Sequence, residues 1–342
     1  MKNINDLNLE ELKEVLTGWK QESYHARQIF SWIDKKGASD FEQMSDLPLE
    51  LRRKLKENFN IFDLRIEKVL KSEDGTQKLL FKLKDGNLVE GVIIPAQRRV
   101  TGCLSSQVGC KFACKFCASG LSGFKRNLSC GEMINEVLLL KKNSGDKLTH
   151  IVFMGTGEPL DNYAEVLKAI RSINSDDGLN VGARRITIST CGIIPAIKKL
   201  ADEGLQTELS ISLHAADDKT RSLLMPINKK YPLKELISCC KEYSEKTGRQ
   251  ITFEYVLIKG LNSDLPSAGK LSKILQGFKL SKVNLIPSNP IKELRIEPPG
   301  KLEILLFRDH LLKHGVNVTL RKPRGEDIDA ACGQLRLRYE NK

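Results

Sequence analysis

From residue 101 onwards the sequence alternates short β-rich segments with amphipathic helical ones. The strand candidates are TGCLSSQ, THIVFMG, RITIST, ELSISLH, ITFEYVLI, KVNLIP and VNVTLR, and helical patterns such as GEMINEVLLLKKN, YAEVLKAIRSI and PAIKKLADEG fall between them. Such alternation is typical of βα units whose strands lie parallel in one sheet. The sequence therefore predicts an α/β fold with a parallel sheet, open or closed into a barrel, over residues 101–342.

The first hundred residues break this pattern and predict two smaller units. Residues 1–60 place apolar side chains at helical spacing in LNLEELKEVL, YHARQIFSWIDKKG and SDLPLELRRKLKENF, which predicts a helical module. Residues 61–100 contain two Asp-Gly turns, at Asp74-Gly75 and Asp85-Gly86, between alternating segments. This pattern predicts a small β meander.

Charge and cysteine usage narrow the possible functions. The net charge of +12 favours a polyanionic partner such as nucleic acid, although a merely basic surface would give the same number. The start MKNINDLNLEELKEVL is not a signal peptide, and we find no run of about 18 apolar residues. We therefore expect a cytoplasmic protein without a membrane span, in which nine cysteines favour metal binding or catalysis over disulfides.

Three of these cysteines lie close together in GCKFACKFCASG. Cys110, Cys114 and Cys117 have the spacing CxxxCxxC. Structural zinc takes four ligands. A fourth ligand could come from Cys103 or from a distant histidine, so the number of cysteines in the motif does not exclude a zinc site. A four-iron cluster held by three thiolates leaves one iron free to bind a small molecule. CxxxCxxC with an aromatic residue before the last cysteine, here Phe116, matches the signature of radical S-adenosylmethionine (SAM) enzymes and favours a 4Fe-4S cluster.

Other unusual residues follow the predicted strands. MGTGEP comes after THIVF, Ser189 ends RITIST, SLH ends ELSISLH, and Asn289 follows KVNLIP. Because the carboxyl ends of parallel strands meet at one edge, we expect these residues and the cysteines to surround a single mouth. Glycines allow close backbone approach and Glu158 can accept from an ammonium group, so MGTGEP resembles a SAM amino-group contact.

Two further cysteines lie outside the cluster. Cys103 belongs to TGCLSSQVGC and Cys332 to RGEDIDAACGQL, and by spacing alone both are ordinary thiols. Arg321, Lys322 and Arg324 precede Cys332, and nearby cations favour a reactive thiolate.

An ordered series of motifs identifies a family. The motifs are CLSSQVGCKFACKFCASG, GFKRNL, FMGTGEPLDN, ISTCGIIPA, LSISLHAADD, LMPINKKYPL, NLIPSNP and RKPRGEDIDAACGQL. In this order they resemble the RlmN methyltransferases, which methylate C2 of an adenosine in 23S ribosomal RNA, at the peptidyl-transferase centre, and in tRNA, next to the anticodon. The sister family Cfr methylates C8 of the same ribosomal adenosine, but Arg324-Gly325 before Glu326-Asp327-Ile328 looks more like the C2 branch.

The resemblance implies a partial (β/α) barrel of the radical SAM type and a role for each site residue. Cys110, Cys114 and Cys117 would hold the 4Fe-4S cluster, Cys332 would carry the methyl group, Cys103 would be the resolving cysteine, and Glu90 would accept a proton. The implied SAM contacts are Gly157, Glu158, Ser189, Ser212, Leu213, His214 and Asn289. From the residues alone, Glu90 is a solvated strand residue, His214 a core histidine and Asn289 a turn former.

The resemblance also implies a reaction sequence. C2 of adenine is electrophilic, so ordinary polar methyl transfer fails and radical chemistry is required. One SAM would methylate Cys332, and a second would yield the radical that activates this methyl group. The carbon would then join C2, and Cys103 would release the RNA by forming a disulfide with Cys332. A flavodoxin-like electron donor is implied for the reductions, and an unpaired target nucleotide is expected.

RNA contacts and alternatives complete these expectations. We expect residues 1–60 to help bind RNA, phosphate contacts from Gln97-Arg98-Arg99, Lys125-Arg126 and residues 321–324, and a monomer. Three alternatives remain. They are C8 methylation, a non-catalytic iron–sulfur or zinc RNA-binding protein, and an activase of a protein glycyl radical site, against which the basic charge and AACGQL argue.

Overall fold

The computed structural model describes residues 1–121, 123–289, 296–331 and 333–335. The α-helices in these residues are α1 (Leu9–Gly18), α2 (His25–Phe30), α3 (Leu49–Asn58), α4 (Cys130–Asn143), α5 (Tyr163–Asn174), α6 (Ile194–Ala201), α7 (Asp218–Leu224), α8 (Leu233–Thr247), α9 (Leu265–Leu275) and α10 (Lys301–Lys313). The strands are β1 (Lys2–Asn3), β2 (Phe59–Asn60), β3 (Leu64–Lys71), β4 (Gln77–Leu83), β5 (Leu88–Ala96), β6 (Arg99–Leu104), β7 (Gln107–Gly109), β8 (Phe124–Asn127), β9 (His150–Phe153), β10 (Ile186–Thr190), β11 (Glu208–Ser212), β12 (Ile251–Leu257), β13 (Ser281–Pro287) and β14 (Val318–Leu320). None of the described helices is both long enough and apolar enough to cross a membrane.

A ten-stranded sheet organises the molecule. Its strand order is β14-β13-β12-β11-β10-β9-β6-β5-β4-β3, and neighbours from β6 to β14 run parallel. Each of the strand segments predicted after residue 100 overlaps one of these parallel strands, and helices lie between most of them. The predicted α/β fold is confirmed, and its parallel strands place their carboxyl ends along one edge.

The meander forms part of the same sheet. β3, β4 and β5 pair antiparallel, with turns at the two Asp-Gly sites, and β5 pairs antiparallel with β6. In this register Val92 lies opposite Cys103. Since side chains alternate between the faces of a strand, Glu90, two residues before Val92, lies on the same face as Cys103. Residues 61–100 thus extend the parallel sheet beyond β6.

The N-terminal helices pack against the outside of the sheet through α4. Asn8 caps α1 in a capping box with Glu11, as its position before the apolar repeat requires. The Asn3 side chain donates to Asn135 Oδ1 on α4 at 2.8 Å, and the Gly131 N–H donates to Asp6 Oδ1 at 2.7 Å. The buried side chains of these helices belong to one apolar core together with those of α4 and the sheet. The module is therefore fixed to the α/β unit by shared core packing.

Candidate functional site

A cavity of about 160 Å³ lies at the carboxyl ends of the parallel strands. Its lining includes residues from the ends of β9, β10, β11, β12 and β13 and from the loop after β7. The predicted site residues that line it are Cys110, Cys114, Cys117, Gly157, Glu158, Ser189, Ser212, His214 and Asn289. Leu213 is buried, but it does not line this cavity. The structure therefore gathers the cysteine motif and nearly all predicted SAM contacts around one space.

The cysteine motif occupies the loop between β7 and β8. Backbone bonds hold this loop: the Cys110 N–H donates to Gly123 O at 2.9 Å, and the Lys115 N–H donates to Leu224 O at 2.8 Å. Phe116 packs edge-on against His214, with ring centroids 4.4 Å apart. The loop is thus fixed against α7 and β11, with its thiols at the cavity wall.

The donor chemistry at the wall fits an iron–sulfur cluster. Burial raises the pKa of the Cys110 thiol to about 12, and it raises the pKa of Cys114 as well. These thiols are neutral until a metal displaces their protons. Among the described residues, no three His, Cys, Asp or Glu side chains are gathered tightly enough to hold one metal ion. Cys110, Cys114 and Cys117 line the same cavity, and in a four-iron cluster each of three thiolates would bind a different iron.

The turn after β9 is built around Gly157. This residue has φ +108°, and a Cβ there would lie 2.6 Å from Gln107 Cβ, so a side chain does not fit. The Glu158 N–H donates to Gln107 Oε1 at 2.9 Å. The Glu158 carboxylate accepts from the Leu160 N–H at 3.0 Å and the Cys191 N–H at 2.7 Å, and burial raises its pKa. Glu158 therefore ties the β9 turn to the end of β10, and its contact with the SAM amino group stays a prediction.

His214 is a neutral side chain in the cavity wall. Burial, with a smaller effect of Arg221, lowers its pKa to about 3. The Val256 N–H donates to Nδ1 at 3.0 Å, so the ring proton lies on Nε2. The residue adopts a left-handed backbone conformation, with φ +55°. The residues alone predicted a core histidine at this position. His214 is indeed buried, but it also lines the cavity.

Arg221 and Glu254 were missed by the sequence analysis. Arg221 is completely buried on α7 below the cavity, and it donates to Cys191 O, Ser212 O, Leu213 O and Asn228 Oδ1 at 2.8–3.2 Å. Glu254 lines the cavity from β12 and accepts from Asn284 Nδ2 at 2.8 Å. A charged residue within the apolar strand ITFEYVLI was the available signal for Glu254. For Arg221 the signal was weaker. Arg221 lies three positions before the apolar Leu224, so the two side chains share one face of a helix.

Cys103 lies in a second, smaller cavity that adjoins the first. Met154, Ile286, Asn289 and Arg321 line both cavities. Ala331 lines the Cys103 cavity, while Gly333 lines the cysteine-motif cavity and accepts from the Ala118 N–H at 2.7 Å. Cys332, the predicted methyl carrier, lies outside the described residues.

Glu90 is buried. The interpretation of Glu90 as a solvated strand residue, which its sequence neighbours alone suggested, is therefore wrong. Its side chain is 1% exposed, and its Oε1 lies 3.1 Å from Lys78 Nζ, whose side chain is 6% exposed. A buried carboxylate requires such a partner. It lies on the same face of the sheet as Cys103, and its role as proton acceptor stays a prediction.

The basic segments expected to contact RNA differ in whether their side chains are already held in ion pairs within the protein. Arg98, Arg99 and Arg324 line an open groove together with His150. In contrast, Arg126 binds the Glu132 carboxylate through two nitrogens, at 2.7 and 2.8 Å, and Asp85 at 2.6 Å. These ion pairs join β8 to α4 and to the meander. Arg126 therefore has a structural role, and the groove at Arg98 and Arg99 is the better candidate for phosphate contacts.

Comparisons with known proteins match this arrangement. The family model "Radical SAM superfamily" matches residues 104–266, and "Ribosomal RNA large subunit methyltransferase N-terminal domain" matches residues 2–61. Proteins of Clostridium novyi and Carboxydothermus hydrogenoformans, each named "Probable dual-specificity RNA methyltransferase RlmN", are 45% and 48% identical, with 99% of each chain covered. The crystal structure of a radical SAM methyltransferase from Sphaerobacter thermophilus superimposes with a TM-score of 0.95 at 42% identity, and it covers 98% of this chain and 99% of that one.

Proposed function

Since the chain belongs to the RlmN family of radical SAM methyltransferases, we propose that it methylates C2 of an adenosine in 23S ribosomal RNA and in tRNA. Cys332 carries the methyl group, Cys103 resolves the RNA adduct, and Glu90 accepts a proton. One observation carries the proposal: the cavity of the three motif cysteines adjoins the cavity of Cys103, and the residues on either side of Cys332 line these two cavities.

The residues of the first cavity would bind a 4Fe-4S cluster and SAM. Cys110, Cys114 and Cys117 would hold the cluster, and Gly157, Glu158, Ser189, Ser212, His214 and Asn289 would surround SAM, with Leu213 behind them. When bound, these groups supply a carbon-centred radical that can remove hydrogen from an S-methyl group. Phe112, Phe116 and Met225 add apolar surface to the lining of this space.

Cys103 in the second cavity, together with Cys332 and Glu90, would complete the transfer. Glu90, held beside Lys78, would take the C2 proton of the adduct, and the one electron that the radical adduct must also lose would return to the iron–sulfur cluster. The Cys103 thiolate then attacks the sulfur of Cys332, so an S–S bond forms and the S–C bond to the RNA breaks. The carbon keeps the electron pair and takes a proton to become the methyl group. A flavodoxin-like protein would return the disulfide to two thiols, and two SAM molecules would be used per turnover.

RNA would approach over the groove at Arg98 and Arg99. Arg324 lines both this groove and the Cys103 cavity, so a phosphate bound there lies next to the reacting residues. The N-terminal module, residues 1–60, would add contacts to the RNA. A flipped-out adenosine would then reach Cys103.

Nucleoside analysis of the product tests this function. Anaerobically reconstituted enzyme, with SAM and a reductant, should convert unmodified 23S ribosomal RNA and tRNA to RNA that contains 2-methyladenosine. A matched reaction with Cys332→Ala should yield no methylated adenosine. Exclusive formation of 8-methyladenosine would contradict the C2 assignment, and absence of methylated RNA with a loaded cluster would contradict the methyltransferase function.

A further inference from the structure

The segment that leads towards Cys332 is attached to the turn between β3 and β4. Residues 324–329 contact residues 72–74 through polar groups on both sides. The contacts are Ser72 Oγ to Asp327 Oδ1 at 2.6 Å, the Glu73 N–H to Asp327 Oδ2 at 3.3 Å, the Gly325 N–H to Asp74 Oδ2 at 3.2 Å, and Arg324 Nη1 to Asp74 Oδ2 at 3.7 Å. The two segments are about 250 positions apart in the chain, so these contacts define a specific docking arrangement.

The closest approach in this arrangement is at Gly325. It has φ +65°, and a Cβ there would lie 2.9 Å from Thr76 Cγ2 and 2.8 Å from Ala330 Cβ. Thr76 is completely buried and lies directly before β4. Any side chain at position 325 would push residues 324–331 away from the hairpin. The glycine is therefore required for the docked position.

Lys78 links the docked segment to Glu90. Its Nζ donates to Asp329 O at 3.1 Å and lies 3.1 Å from Glu90 Oε1. Both side chains are buried, so this cation interacts with little screening by water. One ammonium group thus holds the carboxylate on β5 and the main chain three residues before Cys332.

We propose that the β3–β4 hairpin is a docking element that positions residues 324–331. The positioning residues are Lys78 on β4 and Gly325 in the docked segment. The docked segment, which precedes Cys332 in the sequence, contacts Lys78 beside Glu90 through Asp329 and lines the Cys103 cavity through Ala330 and Ala331. The inference rests on the proposed role of Cys332 as methyl carrier. It adds a function for the meander, whose hairpin sets the geometry of a residue in the distant C-terminal segment.

Gly325→Ala tests the docking, and Gly315→Ala is its matched control. Gly315 also has positive φ, +75°, but an added Cβ there meets nothing within 4 Å. We expect Gly325→Ala to slow methylation of Cys332 by SAM about tenfold or more, because misplacement by about an ångström has effects of this size. The rate is taken per cluster-loaded enzyme without reductant, and SAM binding should be unchanged. Gly315→Ala should label at the parent rate.

Hydrogen exchange separates the docking from the chemistry. The amides of residues 325–331 should exchange faster in Gly325→Ala and in Lys78→Gln than in the parent or in Gly315→Ala. Unchanged exchange together with unchanged labelling of Cys332 in both variants would overturn the docking. If the parent itself takes no label on Cys332, the proposed function fails, while faster exchange in Gly325→Ala would still support the docking.

Discussion

Cys103→Ala is expected to stop within its first turnover and to remain covalently bound to RNA. In the proposed reaction, the Cys103 thiolate is the group that breaks the bond between Cys332 and the RNA. Cys103 is 7% exposed in its cavity, so a thiol from solution has poor access to this position. We expect steady-state turnover to fall at least about a thousandfold, as for loss of a nucleophile. A denaturing gel and mass spectrometry of the digested adduct should show Cys332 joined to adenosine.

Cys130→Ala is the matched control for this experiment. Cys130 is also buried, but it lies at the start of α4, away from both cavities. It should turn over like the parent and give no stable adduct. Repeated turnover by Cys103→Ala would contradict the resolving role of Cys103. Complete absence of both adduct and product, with the cluster loaded, would contradict it as well.

Arg221→Met is expected to destabilise the protein by about 3 kcal/mol. Arg221 donates to three carbonyl oxygens and to Asn228 below the cavity, and methionine leaves these buried acceptors without their donors. Burial raises the pKa of the Cys114 thiol, and the positive charge of Arg221 offsets part of this rise. The variant should therefore bind the cluster more weakly. Urea unfolding and the iron content after reconstitution measure the two effects.

Arg308→Met provides the comparison for Arg221. Arg308 is on α10 and pairs with the adjacent Asp309, partly exposed to solvent. Its replacement should change the free energy of unfolding by less than about 0.5 kcal/mol, as for an ordinary surface position. An Arg221→Met effect as small as that of Arg308→Met would contradict a supporting role for Arg221 under the cavity.

The fold could be predicted from the sequence because its pattern is local. Strand–helix alternation after residue 100 fixed the parallel sheet, and the two Asp-Gly pairs located the turns of the meander. The sequence did not show that the meander and the parallel strands form one sheet, because this depends on the pairing between β5 and β6. Their strand pattern alone does not specify this partner.

The site could be predicted only in part, for the same physical reason. The motif cysteines and the residues after each strand could be found, since parallel strands end at one edge. The burial of Glu90 beside Lys78 depends on the neighbouring strand, and the support from Arg221 depends on how α7 packs. The docking of residues 324–329 on the hairpin joins segments about 250 positions apart, and no local pattern indicates it.

Mass measurement of the Cys332 peptide tests the central claim most directly. The reconstituted protein is incubated with methyl-labelled SAM under anaerobic conditions without a reductant, and is then digested. We predict one labelled methyl group on the peptide that contains Cys332, and none on the peptide with Cys103. An unlabelled Cys332 peptide, in protein that holds its cluster and binds SAM, would contradict the role of this cysteine as methyl carrier.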